Sequence, residues 1–302
     1  MDVVAAAFFW AVSGSSGKYL FHQGLTPFQV VQLRVTLAAL FLFLFLAVFR
    51  RDLLPIRGRD LPYFVGLGIG GMAMVSFTYF FTISRIQVAA AILLQYLAPA
   101  IIAVYAVVFW HERLTRPTIT ALVGSTLGCY FAVGAYNLEF LTLNWLGLVS
   151  GIGSGIAYAW YAVQAEKGMR RYHPWTVLFY ALLLAALFWN LALPPFQAFG
   201  GNYDPLEWFW ILYIALLGTV VPYGLYTQGI NLIRSTRAGI TATLEPILAA
   251  VVSYFFLGEV PAPLQVMGGA MVIGSIILLQ LRQESDERSP DRIRSRGPFP
   301  NP

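Results

Sequence analysis

The sequence has few charged residues for its length, since only 11% of its 302 residues are Asp, Glu, Lys or Arg. Soluble domains carry about 25%. Hydrophobic residues make up 58% of the chain, and the mean hydropathy is +0.69. The polar residues are too few to cover the surface of a water-soluble protein of this size. Lipid must therefore surround most of the surface of this protein. The net charge of +5 does not indicate nucleic-acid binding, because basic residues of membrane proteins concentrate in cytoplasmic loops.

Cysteine and histidine are also scarce. The single cysteine, Cys129, excludes an intramolecular disulfide. The three histidines, His22, His111 and His173, fall in predicted loops on both sides of the membrane, so they cannot converge on a metal. Every aspartate falls in a predicted loop or terminus, so an acid–base pair inside the membrane is absent. We therefore predict no metal, no cofactor and no enzymatic activity.

Ten segments are apolar over roughly the 20 residues that a spanning helix needs. They run at residues 3–22, 27–49, 61–84, 87–110, 117–135, 145–167, 174–193, 207–231, 236–257 and 263–282. The least distinct divisions lie at Ser84 and Arg85 and at Arg234 and Ser235. Residues 283–302 are charged and rich in Ser, Pro and Arg, which predicts a disordered tail.

Basic residues are distributed unevenly among the predicted loops. With a cytoplasmic N-terminus, sixteen of the nineteen Lys and Arg residues fall in cytoplasmic segments. The external loops around Glu139 and Asp204 contain none. The positive-inside rule therefore predicts a multi-pass protein of the bacterial inner (plasma) membrane, with both termini and the tail in the cytoplasm.

The two halves of the chain share residues at a fixed offset of 147, the separation between Pro99 and Pro246. Each half contains five predicted spans, and because five is odd, the second half must enter the membrane from the opposite face. We therefore predict two inverted-topology repeats, 1–135 and 136–282, which are typical of secondary transporters with a central site. The offset also pairs Pro27 with Pro174, Glu112 with Glu259, and Leu37-Ala38-Ala39-Leu40-Phe41 with Leu184-Ala185-Ala186-Leu187-Phe188.

Two motifs at equivalent positions resemble a known family. Tyr96-Leu97-Ala98-Pro99 followed by Phe109-Trp110-His111-Glu112 resembles the end of the first EamA domain of the drug/metabolite transporter superfamily. Leu244-Glu245-Pro246 followed by Phe256-Leu257-Gly258-Glu259 resembles the same signature in the second domain, and Gln32-Leu33-Arg34 is similar to the family pattern in helix two. The resemblance implies that helices one to four and six to nine surround a cavity, with helices five and ten outside. Family substrates include amino acids, other metabolites and drugs, so the cargo stays open.

Two charged residues fall deep inside predicted helices, at least seven residues from either end. Glu245 lies about nine residues into helix nine, on the order of 13 Å from its cytoplasmic end. A carboxylate at that depth must face a polar cavity, be paired or be protonated. Glu245 is therefore a substrate-ammonium contact or a proton-coupling group, or else it bonds backbone groups that Pro246 leaves unpaired. Arg34, roughly 10 Å deep in helix two, pairs with Glu245 or a cavity anion, extends to the outer interface, or caps carbonyl groups of a neighbouring helix.

Aromatic and polar residues share faces of several predicted helices. Such faces suit a cavity for an amphipathic or aromatic solute, although ordinary helix packing is the alternative. The predicted substrate-binding residues are Arg34, Ser76, Tyr79, Gln95, Tyr96, Tyr158, Trp160, Tyr161, Tyr223, Tyr226, Thr241 and Glu245. Pro99 and Pro246 are predicted hinges that each remove a helix hydrogen bond. Glu112 and Glu259 are predicted structural residues near the next helix N-terminus, and Trp10 is predicted to lie at the membrane interface.

We therefore predict a secondary transporter that exports an amino acid or a related amphipathic or aromatic solute by alternating access around a central cavity. A channel-like facilitator and a drug efflux protein are the alternatives, and an intramembrane enzyme is less favoured. The predicted partners are a small-molecule substrate and the lipid bilayer. Proton coupling, and a homodimer formed through Gly124 and Gly128 of helix five, are left open.

Overall fold

The structure is a computed structural model that describes residues 1–111, 113–136, 144–257 and 261–281. Within these ranges the chain consists of helices, turns and short connections, with no β-strand. The predicted all-α class is confirmed. Glu112, Glu259 and the predicted tail lie outside the described residues. The structural roles of the two glutamates and the disorder of the tail therefore remain predictions.

The described residues form thirteen α-helices, two pairs of which are joined by wider π-helical segments. The first seven are α1 (Asp2–His22), α2 (Pro27–Phe49), α3 (Leu61–Val65), α4 (Met74–Arg85), α5 (Val88–Gln95), α6 (Ala98–Trp110) and α7 (Arg116–Ala132). The remaining six are α8 (Trp145–Gly168), α9 (Pro174–Ala192), α10 (Pro205–Ala215), α11 (Val221–Ala242), α12 (Glu245–Leu257) and α13 (Pro263–Leu281). The π-helical segments Gly66–Ala73 and Leu216–Val220 connect α3 to α4 and α10 to α11.

Helix starts follow local capping chemistry. Thr26 precedes Pro27, and its hydroxyl accepts from the Gln29 amide while the Gln29 side chain accepts from the Thr26 amide. Asp204 forms the same reciprocal box with Glu207 at the start of α10. Each box satisfies two amides that a helix N-terminus otherwise leaves without partners. Glu207 therefore belongs to the first turn of α10, so this helix begins two residues before its predicted start.

Six helical stretches of the described chain are long and apolar enough to cross a membrane. They are Pro27–Phe49, Gly58–Arg85, Val88–Trp110, Trp145–Gly168, Pro174–Ala192 and Pro205–Ala242. The protein is therefore a multi-pass membrane protein. The other predicted segments fall on α1, α7, α12 and α13, which lie outside this set. The count of ten spans remains a prediction.

Two helix interruptions occupy equivalent positions in the two halves. Tyr96 and Leu97 separate α5 from α6, and Thr243 and Leu244 separate α11 from α12. These pairs are offset by the same 147 residues that relate Pro99 to Pro246. A further irregularity lies at Arg234, whose backbone (φ 70°, ψ 162°) kinks α11. This kink coincides with the predicted division at Arg234 and Ser235.

The π-helical segments bring the two halves into close contact. A Cβ atom on Gly71 would lie 3.2 Å from the Cα of Tyr161 on α8, and one on Gly218 would lie 2.6 Å from the Ser13 hydroxyl on α1. Gly71 and Gly218 are also related by the 147-residue offset. The π-helical segment of each half therefore packs on the first helix of the other half, and only glycine allows this approach without displacement.

Small residues also join α7 to α13. A Cβ atom on Gly128 would lie 2.8 Å from the carbonyl oxygen of Gly268, and one on Gly124 would lie 2.5 Å from the Ser275 hydroxyl. The glycine face of α7 is therefore occupied within the chain. A homodimer would need a surface other than this face.

Candidate substrate cavity

A cavity lies where the interrupted helices of the two halves meet. The atom-free space between its lining residues, counted together with the open solvent at its mouth, is about 390 Å³. Seven of its lining residues precede residue 136 and three follow it, so both predicted repeats contribute to it. The lining residues are Trp10, Ser13, Arg34, Val75, Tyr79, Gln95, Tyr96, Tyr158, Tyr223 and Glu245.

Glu245 is the first residue of α12 and is only 4% exposed. The break at Thr243 and Leu244 therefore places it at a helix N-terminus, and not nine residues into a continuous helix as predicted. The N-terminal end of a helix dipole favours a negative charge, which reduces the cost of a carboxylate at this depth. Its Oε2 lies 2.8 Å from the Tyr96 hydroxyl.

Tyr96 connects the two interruptions. Its hydroxyl lies 2.5 Å from the carbonyl oxygen of Ala242, the last residue of α11, and 2.8 Å from Glu245. A tyrosine hydroxyl has one proton to donate. If Glu245 is ionised, the Ala242 carbonyl and the Glu245 carboxylate are both acceptors, and the Tyr96 hydroxyl can donate to only one of them. If Glu245 is protonated, it can donate to Tyr96 while Tyr96 donates to Ala242, and every group is satisfied.

Arg34 on α2 is the buried cation of the cavity, with 4% exposure. Its Nε donates to the Thr219 hydroxyl at 2.6 Å, and Thr219 donates in turn to the Ile214 carbonyl at 2.7 Å. The guanidinium carbon lies 5.0 Å from the Phe80 ring centre and 5.8 Å from that of Tyr223. No carboxylate in the described parts of the chain lies within 4.0 Å of Arg34. The predicted extension to the outer interface is wrong, because the side chain is buried.

Aromatic rings form one wall of the cavity. Trp10 packs edge-on against Tyr158, Tyr223 and Tyr226, with ring centres 6.2, 5.1 and 5.4 Å away. The prediction that Trp10 lies at the interface is therefore wrong. Among the described residues, the buried hydroxyl of Tyr79 has no hydrogen-bond partner, whereas the buried hydroxyl of Tyr158 lies beside that of Tyr226. Buried polar groups normally have partners, so the Tyr79 hydroxyl indicates a polar ligand or ordered water in this space.

A family model described as the EamA-like transporter family matches the chain over residues 3–134 and 145–281. The protein belongs to the EamA-like transporter family. The family and the transporter names of its relatives indicate a transporter and not an enzyme.

Several characterised and uncharacterised proteins are similar to this EamA-family member. An uncharacterized transporter of Archaeoglobus fulgidus is 32% identical over 82% of this chain and 86% of that protein. A probable terminal-alkyne amino-acid exporter of Streptantibioticus cattleyicolor is 29% identical over 75% of both chains. The threonine/homoserine exporter RhtA of Escherichia coli is 26% identical over 85% of this chain and 83% of that protein. One crystal structure shares the fold, with a TM-score of 0.71 and 18% identity over 93% of this chain and 95% of that chain.

Seven of the twelve predicted binding residues of this EamA-family protein line the cavity, and five lie elsewhere. Trp160 is 40% exposed and donates to the Gly66 carbonyl at 3.0 Å, because it lies on the outer side of α8. Tyr161 is buried against Thr227, whose hydroxyl is 3.0 Å from its own. Tyr226 lies behind Tyr158, with stacked rings 5.4 Å apart. Ser76 and Thr241 are buried and directed to Met72 and to the Arg237 carbonyl of their own helices.

Three cavity residues were not among the predicted binding residues. Trp10 and Ser13 lie one turn apart on α1, and Val75 precedes the predicted Ser76 on α4. The only sequence signal for Ser13 is the run of small residues from Ser13 to Gly17, which is equally typical of helix packing. An apolar residue such as Val75 carries no signal of its own.

The prolines occupy different helical positions from those predicted. Pro99 and Pro246 lie in the first turn of α6 and α12, respectively. The amides of a first turn have no partner within the helix, so proline there removes no hydrogen bond. Each proline follows an interruption and does not create a weak point inside a helix, which corrects the predicted mechanism. The hinge role of Pro99 and Pro246 remains a prediction.

Proposed function

We propose that this protein is a secondary transporter that exports an amino acid or a related amphipathic or aromatic solute by alternating access. The observation that carries the proposal is the cavity between the two halves, where a helix interruption places the buried Glu245, the continuous helix α2 places the buried Arg34, and aromatic rings lie beside both. Broken helices that meet at a central site are typical of secondary transporters. The names of two relatives, an amino-acid exporter and a threonine/homoserine exporter, support this solute class.

The proposed architecture has ten spans in two inverted repeats, 1–135 and 136–282. The equivalent interruptions and the reciprocal contacts of Gly71 and Gly218 support this arrangement. We further propose an inner-membrane location with both termini in the cytoplasm, on the basis of the positive-inside distribution. Rocking of one half against the other would then expose the cavity to each side in turn.

Proton coupling through Glu245 is part of the proposal. A proton on Glu245 would satisfy both Tyr96 and Ala242, whereas ionised Glu245 would leave a cation-binding carboxylate in the cavity. A proton and a positively charged substrate group would therefore compete for one site, as exchange of the two across the membrane requires.

A cysteine-accessibility experiment tests alternating access. Ser13→Cys places a thiol in the cavity lining, and replacing the buried Cys129 by serine removes the only native thiol. An impermeant maleimide is applied from either side of oriented vesicles, with substrate on one side. The thiol should react from both sides in proportions that the substrate changes. Reaction from one side only, under every substrate condition, would refute alternating access.

Counterflow in proteoliposomes tests the transport function itself. Liposomes containing the purified full-length chain are loaded with single unlabelled solutes from an amino-acid and metabolite panel, with and without a pH gradient. Accelerated uptake of the matching labelled solute is the expected result. Equal uptake with and without internal solute would favour a channel-like facilitator.

A further inference from the structure

We infer that the cavity recognises the zwitterionic head group of a free amino acid, with Arg34 binding the carboxylate and Glu245 binding the ammonium group. This inference rests on the proposed function and specifies its substrate class. It is carried by the two opposite charges, by their separate anchoring, and by the orphaned hydroxyl of Tyr79 on the same cavity lining.

Arg34 is held in place without using most of its donor capacity. The Thr219 hydroxyl takes the Nε proton and is itself fixed by the Ile214 carbonyl in the π-helical segment. A guanidinium has five N–H donors in a planar fork that matches a carboxylate. A buried cation is costly in a membrane protein unless an anion meets it. Since the described residues supply no carboxylate within 4.0 Å, a bound anion is the partner that this geometry lacks.

Glu245 belongs to the same lining and has its own anchoring. One of its oxygens, Oε2, is engaged by Tyr96, and its helix begins at the cavity. Arg34 does not reach it, because no ion pair within 4.0 Å joins the two side chains. The cavity therefore presents one positive and one negative group that do not neutralise each other directly. A ligand with both charges satisfies each of them, whereas a ligand with one charge leaves the other unpaired.

One orphaned hydroxyl lies on the same lining. Tyr79 on α4 has a buried hydroxyl without a partner in the described chain, and this tyrosine lies within electrostatic range of both Arg34 and Glu245. A hydroxyl can donate to a carboxylate or accept from an ammonium group. The head group would supply both kinds of partner. The Trp10 ring then forms an apolar wall for the amino-acid side chain, while Tyr223 packs between Trp10 and Arg34.

A melting experiment tests the inference on the purified full-length chain in detergent. The twenty free L-amino acids are screened for an increase in melting temperature, since a ligand that binds the native state stabilises it. Each stabilising amino acid is then compared with its methyl ester, which lacks the carboxylate, and its N-acetyl derivative, which lacks the ammonium group. Both derivatives should need roughly 10- to 100-fold higher concentrations, the range that one charge-assisted contact supplies.

Paired variants assign the two roles. Arg34→Gln should abolish the preference for the free amino acid over the methyl ester, and Arg34→Lys should restore part of it. Glu245→Gln should abolish the preference over the N-acetyl derivative. The matched controls are Arg85→Gln, an exposed arginine above the Phe81 ring, and Glu207→Gln, which retains an acceptor for the capping box. These controls should keep both preferences. The preferences are ratios within one variant, so a lower yield of folded protein does not change them.

Three results would overturn the inference. They are no stabilisation by any free amino acid, equal stabilisation by the derivatives, and unchanged preferences in both Arg34→Gln and Glu245→Gln. None of these results removes the proposed transport function, which counterflow tests separately. A protein that exchanged only amines or only carboxylates would remain a transporter with a different substrate class. Failure of counterflow with every solute would instead refute the transport proposal.

Discussion

Tyr96→Phe tests the link between the two helix interruptions. The substitution removes one hydroxyl and keeps the ring, so the Ala242 carbonyl and Glu245 lose a shared partner. A neutral hydrogen bond contributes about 1 kcal/mol and one to a charged group about 1.5–3 kcal/mol. Because both lost contacts are buried, we expect the free energy of unfolding to fall by about 1–3 kcal/mol.

The assay is thermal unfolding of the purified full-length protein in detergent. Large domains lose about 2 °C or slightly more per kcal/mol, so the melting temperature should fall by about 2–6 °C. Tyr105→Phe is the matched control, because Tyr105 packs on Phe109 and Trp110 of the same helix and lies outside the cavity lining. This control should melt within about 1 °C of the wild type, since surface hydroxyls contribute little.

A double-mutant cycle separates the contact with Glu245 from the contact with Ala242. In the Glu245→Gln background, Tyr96→Phe should lower the free energy of unfolding by at least about 0.5 kcal/mol less than it does in the wild type, because residues in contact are energetically coupled. Additive effects would show that Tyr96 and Glu245 do not interact. A Tyr96→Phe protein as stable as the wild type would refute the proposed link between the interruptions.

Three further variants test other parts of the structure. Gly218→Ala should reduce counterflow and lower the free energy of unfolding by about 1–3 kcal/mol, because its Cβ would lie 2.6 Å from the Ser13 hydroxyl. Adding Ser13→Ala should restore part of the loss, and a double variant without any recovery would contradict this contact. Glu166→Ala should lower the melting temperature, since the buried Glu166 accepts from the Ser235 amide at 2.8 Å and pairs with Arg234 at 3.2 Å; a loss below about 1 kcal/mol would contradict a charged contact there. Trp160→Phe should leave counterflow unchanged, because Trp160 lies outside the cavity lining; a severalfold loss would place it in the pathway.

The membrane class and the helix positions could be predicted from local pattern. Hydrophobic length marks a spanning helix, and proline and capping residues mark its start, because these effects act over a few neighbouring residues. The 147-residue offset relates Pro99 to Pro246, which were predicted to weaken continuous helices, whereas the structure has full interruptions three residues earlier, at Tyr96 and Thr243. A proline within an apolar run predicts a weakened helix, but it fits equally well into the first turn of a new one.

The rotation of each helix could not be predicted with the same success. Tyr158 and Trp160 are two residues apart on α8, yet one lines the cavity and the other is exposed. The side chains of residues two positions apart on a helix point about 200° away from each other. An apolar helix in lipid lacks the polar face that would indicate its inner side. Trp10 was misplaced for this reason, since its neighbours come from α8 and α11.

The sequence by itself determined that this is an all-helical membrane protein with an internal repeat, family-like motifs and two isolated charges at membrane depth. Those features depend on composition, spacing and local backbone chemistry. Only the tertiary structure decided that Arg34 and Glu245 share one cavity without pairing, that Tyr96 spans two interruptions, and that Trp10 forms the wall. These relations join residues from about 150 to more than 200 positions apart, and such contacts depend on how whole helices pack and rotate against one another.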